Sequence, residues 1–122
     1  MLKPKPWWLR WTATYSWVTL APFIYHPKGI DTSLYGAVIA HETMHLFRQN
    51  QIGKWQWLWC YFVHRDFRLD EEVMGMVQEL RLYPEPRRTV ELNSYAVDLA
   101  SSRYLWAAHS SQEACDALRR AL

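Results

Sequence analysis

At 122 residues the chain has room for a single domain, residues 1–122, and its half-hydrophobic, one-fifth charged composition excludes a disordered chain. The formal charge of +2 is too small and too scattered to argue for a nucleic-acid partner, and the absence of any run of about 18 apolar residues excludes a transmembrane helix. Eight tryptophans and seven tyrosines are the anomaly: they require either an aromatic-rich core or an aromatic surface offered to a partner, a ligand or a membrane.

The chain opens with a basic start and an apolar stretch, but Thr12, Thr14 and Ser16 interrupt it and no small-residue cleavage site follows, so no cleaved signal peptide is expected. Trp11, Ala13, Tyr15 and Trp17 alternate with those hydroxyl residues in the period-2 pattern of a half-buried strand. Pro22 ends it, and a second, edge-like strand at Phe23–Tyr25 stops at Pro27-Lys28-Gly29. An antiparallel hairpin or meander is expected. Residues 31–53 read as the clearest helix, with N-cap oxygens at Asp31, Thr32 and Ser33 and a glycine, Gly53, just past the end. On it Ala37, Ala40, Met44 and Phe47 form an apolar face beside a stripe of His41, Met44, His45 and Arg48.

The tryptophan-rich segment from Lys54 fits strand and helix alike, and a helix is favoured because Val63 is its one β-branched residue. A helix follows with the stripe Leu69, Val73, Met76 and Leu80, ended by Pro84 and Pro86. Val90, Val97 and Tyr104, reinforced by Ala96, Ala100 and Ala107, predict another. Ser110 and Glu113 form a capping box for the last helix, which closes on Arg119 and Arg120. Cys60 and Cys115 have no metal-site spacing and read as ordinary thiols. The expected fold is α+β: an N-terminal antiparallel hairpin or meander followed by four to five helices.

The chemistry is carried by His41-Glu42-Thr43-Met44-His45. Residues four apart share a helix face, so both imidazoles can aim at one point, as zinc's nitrogen ligands do. Glu42, rotated one step, is placed to act as general base on a water at the metal's open position. With five His and seven Glu in the chain, chance produces such a motif roughly once in a hundred sequences of this composition. A catalytic zinc takes three protein ligands, and no third histidine follows closely, so a carboxylate from the next helices, Glu71 or Glu72, is the candidate. His26, His64 and His109 lie at element ends and read as structural or solvated.

A strand, a His-Glu-x-x-His helix and a downstream glutamate resemble a minimal gluzincin, the glutamate-ligated branch of the zincin metallopeptidases. Residues 37–78 are similar, more narrowly, to small His-Glu-x-x-His proteins of bacteriophage and bacterial genomes whose second helix often reads R-x-x-x-E-x-E-A-Y; Arg68 and Glu72 match, while Met74, Gly75 and Met76 depart from it. The resemblance implies a zincin-like fold, Zn2+ held by His41, His45 and Glu72, peptide-bond hydrolysis with Glu42 as base, and oxyanion stabilisation by Tyr95 or His109. It also implies that an extended peptide or protein substrate adds to the edge near Phe23–Tyr25. A chain this small has trouble burying eight tryptophans, so a protein partner or oligomer contact through an aromatic surface is expected. The second functional class is a non-catalytic structural or adaptor protein, such as a phage particle component, in which zinc is a staple; the expected location is cytoplasmic or virion-associated.

Overall fold

The computed structural model describes all 122 residues. Three strands, β1 (Leu2–Pro4), β2 (Val18–Leu20) and β3 (Phe23–His26), precede five helices: α1 (Gly36–Ile52), α2 (Lys54–Val63), α3 (Arg65–Leu80), α4 (Arg87–Leu99) and α5 (Ser111–Ala121). The expected α+β order is therefore present. The sheet has the order β1-β3-β2, with β3 antiparallel to β2 and parallel to β1.

That order corrects two expectations. β3 is the central strand, so Phe23–Tyr25 is no free edge for a substrate. The strand expected over Trp11–Trp17 is a series of turns instead. Its hydroxyls bond to local carbonyls, Thr12 to Leu9 (2.7 Å) and Ser16 to Ala13 (2.7 Å), and such bonds compete with a ladder. The edge strand nearest α1, β2, is itself engaged: the Gln49 carboxamide donates to Thr19 O (2.9 Å) and accepts from Ala21 N (2.8 Å), as a neighbouring strand would.

Asp31 caps a short 3-10 turn through Ser33 N, and α1 begins only at Gly36. Gly53, at φ 99°, ends α1 and lets α2 start one residue later. The face that α1 buries is not the apolar one. His41, His45, Leu46 and Gln49 are buried while Phe47 is exposed, because carboxylates of α3 stand opposite.

α3 is the central helix, buried at ten of its 16 positions and so covered on two sides. Leu69, Val73, Met76 and Leu80 join Leu92, Ala96 and Leu99 of α4 and Ala114, Cys115 and Leu118 of α5 in one core. The face expected on α4 is corrected here: Val90 and Val97 are exposed, and the competing 92/96/99 spacing faces inward. α4 also stops at Leu99, followed by a 3-10 turn (Ser102–Tyr104) and two left-handed residues, Leu105 and Trp106. The Ser110 hydroxyl accepts from Glu113 N at the start of α5, as its capping box requires. α2 is helical, with Trp57 inside and Trp55 and Trp59 outside. Cys60 and Cys115 are free thiols, and no helix is long and apolar enough to cross a membrane.

Candidate metal centre

α1 and α3 lie against each other, and three side chains meet between them. His41 Nε2 is 3.0 Å from His45 Nε2 and 3.1 Å from Glu72 Oε2; His45 Nε2 is 3.1 Å from Glu72 Oε1. All three residues are buried. Two imidazole nitrogens this close repel unless a proton or a cation lies between them. Tetrahedral zinc with bonds of about 2.0–2.1 Å sets its ligand atoms roughly 3.3 Å apart, close to the separations seen here.

α3 is shaped to receive the first ring. A Cβ on Gly75 would lie 2.5 Å from His41 Cδ2 and 2.7 Å from Nε2, so only glycine leaves room for the imidazole. One turn on, Glu79 Oε1 lies 2.6 Å from His41 Nδ1, close but without the alignment of a full hydrogen bond. Tyr95 of α4 donates to the other Glu79 oxygen. Tyr61 of α2 donates to Glu72 Oε1 (2.9 Å), its ring stacked on Trp57, which lies edge-on to His45. Arg68 does not touch the carboxylates; it donates to Tyr61 O (2.6 Å) and Leu105 O (3.0 Å), fixing the end of α2 and the loop after α4. Such outer partners hold metal ligands in orientation.

The charges are as uneven as the packing. Neither Glu72 nor Glu79 has a Lys or Arg partner. Burial pushes the Glu72 carboxyl upward, but His45 and His41 outweigh it and hold it well below the usual range. Burial works against the His41 imidazolium, yet the Glu72 and Glu79 carboxylates raise its pKa well above the ordinary value. Tyr61 and Tyr104 are both pushed up, first by burial and then by the Glu72 charge. A pocket of carboxylates and imidazoles with no fixed cation is the donor set a divalent metal neutralises.

Glu42 stands at the side of this cluster. The ligand atoms of His41, Glu42 and His45 lie within 4.8 Å of one another, and this group can hold a metal ion. Glu42 Oε2 accepts from the Thr19 hydroxyl of β2 at 2.6 Å, which ties the base position to the sheet. Glu71, the rival third ligand, is on another face of α3. It is only 1% exposed, and its Oε1 accepts from Arg48 Nε at 2.9 Å. Tyr95 is committed to Glu79, behind His41, and His109 is exposed with its backbone N bonded to Glu113.

Sequence reasoning missed the roles of Gly75, Glu79, Tyr61 and Thr19. A signal existed for two: Glu72, Gly75 and Glu79 stand at i, i+3 and i+7, one face of one helix. Thr19 and Tyr61 reach the site only through tertiary contacts. No family model, curated protein or solved structure matches the chain. The likeness to gluzincins therefore rests on His41-Glu42-x-x-His45 and its capacity for a metal.

Proposed function

We propose that the protein is a zinc-dependent metallopeptidase with His41, His45 and Glu72 as ligands and Glu42 as general base. The observation that carries this reading is the convergence of three buried side chains, His41, His45 and Glu72, with contacts of 3.0–3.1 Å and a second, sheet-anchored carboxylate, Glu42, beside them. A structural zinc site closes all four positions with ligands and has no use for a free base. Zinc bound there supplies a Lewis acid for a scissile carbonyl and makes water a nucleophile near neutral pH.

The chain's own groups do the rest. Thr19 occupies Glu42 Oε2, which leaves Oε1 to take and hold the proton of an attacking water. Glu79 favours the His41 tautomer with its proton on Nδ1, keeping Nε2 free as a ligand. Tyr61 orients Glu72 through Oε1.

Metal analysis of zinc-replete protein, combined with hydrolysis of a quenched peptide library, tests the assignment. Wild type and Glu42→Gln should each carry one zinc per chain, and hydrolysis should vanish in Glu42→Gln. Absence of zinc, unchanged by His41→Ala, or loss of zinc in Glu42→Gln overturns it. The second reading, an adaptor or phage particle component with zinc as a staple, is favoured by the exposed stripe Trp55, Trp59 and Phe62 on α2. Zinc-loaded wild type without any hydrolysis selects that reading.

A further inference from the structure

The small net charge conceals an asymmetry. The first 30 positions hold four of the 14 basic residues and none of the 12 acidic ones, so they carry +4 and the remainder −2. The same stretch holds four of the eight tryptophans.

The fold turns this stretch into a platform. Lys5 N bonds to His26 O (2.9 Å), extending the β1–β3 pairing, and the buried Lys5 ammonium then gathers the following turns. It donates to Thr12 Oγ1 (3.1 Å), Ala13 O (2.6 Å) and Ser16 Oγ (3.3 Å). Trp7 and Trp11 are thereby held 73% exposed and Tyr15 68% exposed, on hydrogen-bonded turns rather than a loose tail. Exposed Arg10 and Lys28 stand with Thr12 and Thr14 around a cavity of about 250 Å³, walled by Trp7. Nothing in the metal site uses any of these residues.

Indole rings prefer the boundary between water and hydrocarbon, and cations without nearby acids prefer anionic headgroups. We propose that this N-terminal platform docks on the surface of an anionic lipid bilayer. Trp7, Trp11 and Trp8 enter the headgroup layer, and Arg10 and Lys28 meet lipid phosphates at the mouth of the cavity. The exposed side-chain cations of this platform are Lys3, Arg10 and Lys28. Three are too few to track a nucleic-acid backbone, yet they suffice to add to the apolar anchoring of several indoles.

Co-sedimentation of the full chain with vesicles tests this, comparing pure phosphatidylcholine with phosphatidylcholine containing about 30% phosphatidylglycerol. The protein should bind the anionic vesicles, weaken as salt rises, and bind the neutral ones at least tenfold less. Trp7→Ala/Trp11→Ala and Arg10→Glu/Lys28→Glu should each lower anionic-vesicle binding at least tenfold, with zinc content and circular dichroism unchanged. Trp55→Ala/Trp59→Ala should leave it intact. No vesicle binding, binding lost only in the Trp55/Trp59 variant, or binding of a single-stranded oligonucleotide in place of vesicles overturns the proposal. If either N-terminal variant fails to fold, limited proteolysis of wild type settles the face: anionic vesicles should protect Arg10 from trypsin, and an unchanged cleavage rate overturns the proposal.

Discussion

The α3–α5 half of the molecule buries a 13-residue apolar cluster from Leu69 to Leu118, whereas the apolar cluster between the sheet and α1 holds only Ala21, Ile24 and Leu46. The second half is joined instead by polar groups: Gln49 to β2, Lys54 to Ala21 O (2.9 Å), and His41 and His45 to Glu72. Apolar burial stabilises in proportion to area and tolerates local imperfection, while buried polar groups stabilise only when every partner is present. The candidate metal site therefore sits where the fold is least able to stand on hydrophobicity. Metal binding at such a site is also folding energy, so zinc is expected to raise the stability of the α1 side in particular.

The contrast can be broken first in the apolar half. Leu118→Ala should cost about 2–5 kcal/mol in urea unfolding, with and without zinc alike, and should leave zinc stoichiometry unchanged. Glu72→Ala should do the reverse: zinc affinity measured by chelator competition falls about 100-fold, and the zinc-dependent gain in Tm disappears. Glu71→Ala serves as its partner, since Glu71 bonds Arg48 and not the histidines; its zinc affinity should stay within about threefold of wild type. If Glu71→Ala is the more damaged, Glu72 is not the third ligand.

Gly75→Ala probes the seam between the halves. The added methyl must displace the His41 ring, so zinc affinity should fall about tenfold, with a stability loss of about 1–3 kcal/mol visible in the thermal melt. Among the effects on the unfolding of metal-free protein, that of pH is the smallest. His41 has its folded-state pKa raised, so without metal its contribution is full below the unfolded value and is lost as pH rises through the folded one. The depressed Glu72 carboxyl contributes above its unfolded value and loses that contribution as pH falls through its folded one. Zinc must displace the His41 proton, so its affinity should rise with pH by at most about tenfold per unit until that proton is gone. Dye-competition titrations between pH 6 and 9 would show the slope, and a flat profile would mean that His41 is not a ligand.

How legible the site was depended on how local each part is. His41, Glu42 and His45 lie within five residues of one helix, and periodicity alone places their side chains. Choosing between Glu71 and Glu72 needed the orientation of α3, because adjacent residues differ by about 100° and either could have faced α1. The Trp11–Trp17 alternation misled because Thr12 and Ser16 satisfied their hydrogen bonds locally, a competition that period-2 counting does not see. The apolar face read on α1 misled because its true neighbours are carboxylates.

By itself the sequence determined what short-range geometry controls: the helix carrying the His-Glu-x-x-His motif, the Ser110–Glu113 cap, the Leu69–Leu80 stripe and the α+β order of elements. Tertiary structure alone decided that β3 is central, that Gly75 makes room for His41, that Thr19 holds Glu42, and that Trp7 and Trp11 face solvent. The physical reason is distance along the chain. Contacts such as Thr19 to Glu42 and His41 to Glu72 span 23 and 31 residues, and no local propensity encodes which distant group will arrive.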